Sequence, residues 1–181
     1  MPRFSRGLLR YCPICDGYEI TDLPVAVIGT AERGVNEAEF VRSYTKAVTL
    51  IAPAGAHELT SAQRLRLDRA EIQRLDGLCL GFALLEKTLE VTVPGNRIEF
   101  ASVYPALGSD IHSQLAVELG AAVTQEGCLE VDEHQRTTIS GFYAAGDVVL
   151  GLNQISHAIG EAAVASTAIR NDLAKDGPLR R

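Results

Sequence analysis

Hydrophobic and polar positions fall into short apolar runs, stretches that repeat every three to four residues, and stretches that alternate. Val25–Ile28, introduced by Leu23 and Pro24 and ended by Gly29, is a β-rich apolar run that reads as a buried strand. From Gly34 to about Thr45 the apolar Val35, Ala38, Val41 and Tyr44 recur every three residues, while Glu37, Glu39 and Arg42 suit the opposite face. That spacing predicts an amphipathic helix. Val48–Ala52 is a second apolar run, so strand, helix and strand are complete within about 30 residues, the length of a parallel βαβ unit.

Ser61–Ile72 is rich in Arg, Leu, Ala and Glu and predicts a more exposed helix, with Thr60 or Ser61 as its cap. Between Cys79 and Val103 the pattern turns to β. Thr88–Val93 alternates, Pro94, Gly95 and Asn96 supply turn chemistry, and Arg97–Phe100 alternates again, which predicts a hairpin. Val103–Leu107 reads as a further strand ended by Gly108, Ser113–Leu119 as a short helix, and Phe142–Ala145 as a small-residue strand ending at Gly146 and Asp147. Ile155, Ile159, Ala162, Ser166, Ile169 and Leu173 step by four and three through the clearest helix, and Lys175–Arg181 is expected to be a frayed tail. There is neither an internal repeat nor a low-complexity linker. The fold class expected is α/β, with a Rossmann-like βαβ nucleotide-binding region in the first part of the chain.

Composition narrows the range of functions. The 181 residues are 46% hydrophobic, enough for a packed core of one domain or one and a half. Lys and Arg number 17 against 23 Asp and Glu, a net charge of −6, without the basic stripe that nucleic acid demands. No apolar stretch approaches the ~18 residues of a bilayer span, and Met1–Tyr11 mixes Arg with apolar residues unlike a signal peptide. A cytoplasmic chain that binds neither membrane nor nucleic acid is expected. Four cysteines are too few for a disulfide scaffold, and Cys79 and Cys128, each beside apolar neighbours, read as small buried hydrophobes.

Cys12 and Cys15 form a Cys-x-x-Cys pair followed by Asp16 and Gly17. A thiolate two residues from its partner can attack a disulfide and be resolved by that partner, and an adjacent acid can manage the protons. Half of a zinc site completed by Cys79 and Cys128, and an inert dithiol, stand as alternatives. Gly29–Gly34, between a predicted strand and helix, has the context of a dinucleotide fingerprint, in which a tight turn presents N–H groups to a pyrophosphate. Ala31 takes the place of the second glycine, where its methyl obstructs the close approach. Ile51–Ala54 carries neither an acid for a ribose hydroxyl nor an arginine for a 2′-phosphate, so NADH and NADPH are not distinguished, and a unit that only packs is the other reading. His57, His112, His134 and His157 form no ligand motif; they are expected on the surface or in loops, and no metal is expected.

The Cys12–Tyr18 motif, the strand and glycine turn after it, and Ser140–Val148 followed by Gln154, Ile155 and a small-residue helix resemble the thioredoxin reductase family of flavoprotein disulfide reductases. The motifs lie in that family's order and cover about Gly7 to Leu173. The resemblance implies FAD and NAD(P)H as cofactors, with Asp147 on the ribityl chain and Gln154 and Ile155 beside the flavin ring. Gly146 is counted with these cofactor-binding residues, as are Gly29, Ala31 and Gly34 of the dinucleotide fingerprint. Cys15 would face the flavin and form the transient adduct, Cys12 would attack the substrate disulfide, and Asp16 would donate or accept the proton. His157 lies one helical step from these flavin contacts.

The family's arginine-rich NADPH motif is absent after the second strand, and its chains begin with a further segment that carries the glycine-rich loop for FAD. The expected division is therefore a Cys-x-x-Cys and NAD(P)-type domain over 1–103 and the C-terminal half of a discontinuous FAD domain over 104–181. A surface of that half would need a cover, either a twin in a homodimer or a separately made N-terminal half. The function expected is transfer of electrons from NAD(P)H through FAD to Cys12 and Cys15, and on to a thioredoxin-like protein or a small disulfide. A non-catalytic remnant or assembly subunit without flavin is the alternative.

Overall fold

The computed structural model describes residues 7–77, 79–175 and 177. The alternation of Arg and apolar residues over 1–6, and the expected tail apart from Lys175 and Gly177, lie outside them. The chain divides into two compact units, one ending at Gly108 and one beginning at Ser109. The change falls five residues beyond the expected 103/104, because Tyr104 and Pro105 complete a strand in register with Val27 and Ile28.

The first unit opens with a one-turn helix α1 (Pro13–Asp16) whose N-cap is Cys12, followed by a 3-10 turn over Gly17–Ile20. Pro13 suits the first helical position, where no N–H is needed. Then come β1 (Val25–Ile28), α2 (Ala31–Arg42), β2 (Val48–Ile51), α3 (Ser61–Arg69) and β3 (Gln73–Leu75). A meander of β4 (Gly81–Leu84), β5 (Leu89–Val93) and β6 (Asn96–Phe100) precedes β7 (Ser102–Pro105). The parallel sheet has the order β3-β2-β1-β7, with Val25 opposite both Val48 and Ser102. β1 and β2 are buried at every position, which explains their continuous apolar runs.

Successive residues of a strand face opposite ways, and the core divides accordingly. Val25, Val27, Leu50 and Tyr104 pack with Val35, Ala38 and Val41 of α2 and Leu67 of α3. Ala26, Ile28, Ile51 and Val103 pack with Leu89, Val91, Val93 and Phe100 of the meander. The parallel sheet therefore lies between helices on one face and a three-stranded antiparallel sheet on the other.

α2 begins at Ala31, three residues before the expected Gly34, because the chain enters the helix directly from the glycine turn; it ends at Arg42. Thr60 caps α3 through a capping box: its hydroxyl accepts the Gln63 N–H at 3.2 Å, and the Gln63 side chain accepts the Thr60 N–H at 2.9 Å. α3 stops at Arg69, and the residues expected to end it lead instead into β3.

The second unit contains α4 (Gln114–Glu118) and α5 (Ile155–Lys175), joined by loops with isolated bridges, around a core of Ala116, Ala121, Leu129, Ala144 and Val149. The strand expected at Phe142–Ala145 is not formed. Only Tyr143 pairs, in one bridge to Arg136, and the Phe142 and Ala144 N–H groups donate to Ile139 and Gln135 carbonyls between glycine bends at Gly141 and Gly146. Among the described residues no helix is long and apolar enough to cross a membrane.

Candidate functional site

Cys12 and Cys15 are joined in a disulfide with Cα atoms 5.3 Å apart. The Cys12 carbonyl accepts the N–H groups of Cys15 at 2.9 Å and Asp16 at 3.2 Å, so one helical turn sets the pair and the acid together. Gly17 is required by packing: a Cβ there would lie 2.5 Å from the Tyr44 ring. The N-terminal segment runs beside β7, with the Arg10 N–H on the Val103 carbonyl at 2.9 Å and the Val103 N–H on the Leu8 carbonyl at 2.8 Å.

Side chains converge on Asp16. Tyr104 Oη donates to Oδ1 at 2.7 Å, and Arg10 Nη1 lies 3.2 Å from Oδ2. Arg10 also donates from Nε to Ser102 Oγ at 3.0 Å and pairs through Nη2 with Glu19 at 2.8 Å. Burial, reinforced by the Asp16 carboxylate, pushes the Tyr104 phenol well above its ordinary range. For Arg10 burial opposes the charge, but hydrogen bonds and attraction from Glu19 and Asp16 outweigh it and the guanidinium is held more tightly protonated.

At the glycine turn the strand and helix touch. A Cβ on Gly34 would stand 2.7 Å from the Gly29 carbonyl carbon, and one on Gly29 would stand 2.9 Å from the Gly34 Cα. Those two glycines have the steric role that the fingerprint gives its first and last. Ala31 is exposed and has φ +52°, a left-handed conformation that favours glycine. The Thr30 hydroxyl makes no cap to α2 and accepts the Glu58 N–H at 3.2 Å. The N-terminal turn of α2 and the Gly29–Gly34 approach fit a dinucleotide pyrophosphate; the Ala31 methyl is the one element that does not.

His57, expected on the surface or in a loop, is a loop residue but is buried behind β2. Its Nε2 donates to the Leu50 carbonyl at 3.2 Å, and its backbone N–H donates to Asp76 Oδ1 at 2.9 Å. Cys128 is buried, and Cys79 is half-buried against the meander core, where burial pushes its thiol up. Among the described residues no group of three or more His, Cys, Asp or Glu is placed to hold a metal ion.

In the second unit Asp147, Gln154 and Ile155 do come together, around a concavity they share with Asn153, Ala158 and Ile159. Asp147 is exposed after Gly146, whose φ of +80° makes the bend. The Gly146 N–H donates to Glu161 Oε2 at 2.7 Å, and Glu161 Oε1 lies 2.9 Å from His157 Nε2. Glu161 thus ties the Gly146–Asp147 bend to α5. A polar bend beside an apolar helix face fits a ligand with a hydroxylated chain and a flat ring, the chemistry of a flavin.

Arg10, Ser102, Tyr104 and Glu161 were not singled out by the sequence reading. The available signals were polar Ser102 and Tyr104 at alternate positions of a buried strand, and an acid on the small-residue stretch of α5; buried polar groups imply partners.

A family model described as pyridine nucleotide-disulphide oxidoreductase matches residues 3–162. The thioredoxin reductase of Mycoplasma pneumoniae is 27% identical over 94% of this chain and 56% of its own. That of Aquifex aeolicus is 28% identical over 91% of this chain and 52% of its own. The chain spans about half the length of the curated relatives it matches. Among solved structures, the thioredoxin reductase from Streptococcus pyogenes shares the fold with a TM-score of 0.83 at 22% identity, over 93% of this chain and 58% of that one. The atypical thioredoxin reductase from Desulfovibrio vulgaris aligns with a TM-score of 0.53 at 29% identity, over 94% of this chain and 58% of that one.

Proposed function

The chain belongs to the pyridine nucleotide-disulphide oxidoreductase family, and from that premise we propose that it is a thioredoxin reductase-like thiol-disulfide oxidoreductase, or the dithiol-bearing part of one, acting in the cytoplasm. The observation that carries this reading is the Cys12–Cys15 disulfide set on one helical turn with Asp16. Once the disulfide is reduced, the Cys12 thiolate attacks one sulfur of a substrate disulfide, forming a mixed disulfide and expelling the other sulfur as a thiolate. The Cys15 thiolate then attacks the Cys12 sulfur, re-forms the Cys12–Cys15 bond and releases the second substrate thiolate. Two electrons leave the dithiol for the substrate. Asp16 takes up the proton that Cys15 loses and returns one to a departing thiolate.

Asp147, Gln154 and Ile155, with the Gly146 bend, would hold FAD, while Gly29, Gly34 and the first turn of α2 beside Ala31 would receive the pyrophosphate of NAD(P)H. These cofactors would supply the electron pair that reopens the disulfide. The exposed apolar side chains of α5 need a cover, for which a second copy or an FAD-domain half is proposed. The substrate is a thioredoxin-like protein or a small disulfide. A second reading, a non-catalytic assembly subunit, is favoured by Ala31 in the fingerprint and by the open face of α5.

The visible spectrum of the purified chain, taken alone, with FAD, and with FAD plus NADH or NADPH under anaerobic conditions, separates the two. Bound flavin that bleaches supports the reductase. Absence of flavin binding by the chain alone would mark an incomplete module, and its persistence after an N-terminal FAD-domain half is added favours the assembly subunit. With Cys12→Ser, a nearly isosteric change, disulfide turnover is expected to vanish while the fold stays intact, with the thermal midpoint that of the reduced chain, and persistent turnover would remove Cys12 from its role.

A further inference from the structure

We infer that Tyr104, with Arg10, is a positioning residue for Asp16 that controls how readily the neighbouring dithiol loses its proton. The inference rests on reading Cys12 and Cys15 as a reactive pair and deepens it by assigning the groups that govern the acid beside them.

The geometry is a closed ring. Ser102 and Tyr104 are two apart on β7 and so face the same side of the sheet. Ser102 Oγ accepts from Arg10 Nε at 3.0 Å, Arg10 Nη1 meets Asp16 Oδ2 at 3.2 Å, and Tyr104 Oη closes the ring on Asp16 Oδ1 at 2.7 Å. Both strand residues are buried, so each polar atom needs its partner. Each oxygen of one carboxylate is thereby engaged by a different donor, which fixes its orientation as a single donor would not.

Attachment alone does not account for the ring. Backbone hydrogen bonds between β7 and residues Leu8 and Arg10 already hold the segment before the dithiol. The side chains do something additional: they converge on the residue that directly follows Cys15. The charged and titratable groups meeting there are Arg10 from the N-terminal segment, Glu19 from the 3-10 turn, and Tyr104 from β7. A carboxylate beside a thiol opposes formation of the thiolate, whereas a hydroxyl donor and a guanidinium offset that negative charge. Removing the hydroxyl therefore leaves more of the Asp16 charge for a developing thiolate to meet.

The test follows alkylation of the reduced dithiol by iodoacetamide across pH, in the full chain, with thermal unfolding as the check on folding. Tyr104→Phe keeps the ring packing and is expected to move the midpoint of the profile upward by about half a pH unit, or about threefold less thiolate at neutral pH. Asp16→Asn is expected to move the midpoint downward and to make it insensitive to Tyr104→Phe, because a neutral amide has no charge to offset. Should Tyr104→Phe fold poorly, Arg10→Lys provides the second variant. It keeps a charge but cannot bridge Ser102, Asp16 and Glu19 together, and it is expected to shift the profile upward too.

An unchanged profile in the folded Tyr104→Phe or Arg10→Lys variant, beside a shifted one in Asp16→Asn, would overturn the positioning role and leave the dithiol reading standing. An equal shift from Tyr104→Phe with and without Asp16→Asn would overturn it as well, since the hydroxyl would then act without the carboxylate. If Asp16→Asn leaves the profile unchanged, both the positioning role and the proton-handling role of Asp16 fall.

Discussion

The two units bury their apolar residues differently. In the first, β1 and β2 are enclosed on both faces, and Val25, Val27, Leu50 and Ile51 are inaccessible to solvent. In the second, the 21-residue α5 buries only Ala165 and Ala168, while Ile155 is 82% and Ile159 66% exposed. The first unit closes its own core. The second gathers loops around a small core and leaves apolar side chains of α5 exposed. The Cys-x-x-Cys pair stands on the closed unit and the concavity of Asp147, Gln154 and Ile155 on the open one, so dithiol chemistry can be measured without first supplying a cover for α5.

The largest expected effect breaks or sharpens that contrast directly. Leu50→Ala is expected to destabilise the first unit by about 2–5 kcal/mol, whereas Ile159→Ala on α5 is expected to change stability by less than about 0.5 kcal/mol in chemical denaturation. A cost for Ile159→Ala comparable with that of Leu50→Ala would mean that the α5 face is covered in solution.

A smaller effect concerns the glycine turn. Ala31 holds a φ of +52°, so Ala31→Gly is expected to relieve about 1 kcal/mol of backbone strain and to tighten dinucleotide binding by removing a methyl from the pyrophosphate approach. Denaturation reads the first part and calorimetric titration the second. Equal or weaker binding would show that the methyl is no obstacle.

The smallest effect lies at the far end of α5. Arg136 grips Asp172 through two nitrogens at 2.6 and 3.1 Å, with Lys175 at 2.7 Å and the Tyr143 hydroxyl at 2.7 Å. Hydrogen bonds from Arg136, Lys175 and Tyr143 hold the Asp172 carboxyl well below the usual carboxylate range. A carboxyl depressed in the folded state binds fewer protons there than when unfolded. Its stabilisation is present above the unfolded value and fades as pH falls toward the folded one. Acid unfolding of the second unit is expected to be less steep in Asp172→Asn, and the variant's deficit at neutral pH should shrink on acidification. An unchanged pH slope would remove Asp172 from the account.

The sequence made the closed unit more legible than the open one, for physical reasons. Val25–Ile28 and Val48–Ile51 announce themselves because both faces are buried, and Leu89–Val93 because one is. β3 escaped notice because Gln73 is exposed and Arg74 half-buried at a sheet edge, so no apolar pattern marks it. Phe142–Ala145 looked like a strand because its residues are apolar, but glycine bends on either side route its N–H groups into local loops.

The pair Cys12 and Cys15 could be selected from the sequence because it is local, whereas Asp147, Gln154 and Ile155 were singled out only by what the family resemblance implies. The contact of Tyr104 with Asp16 joins residues 88 apart, and that of Gly146 with Glu161 joins a bend to a helix. Neither is written in a local pattern; both depend on how each unit folds back on itself.

The central claim is that Cys12 and Cys15 form a redox-active pair, and a redox titration tests it most directly. The chain is equilibrated in glutathione buffers of graded potential, thiols are trapped by alkylation, and the reduced fraction is read by mass. The account predicts full, reversible two-electron exchange confined to Cys12 and Cys15, with a midpoint in the range of about −180 to −300 mV typical of catalytic dithiols. A pair that resists reduction far below that range, or that does not re-form after reduction, would contradict it.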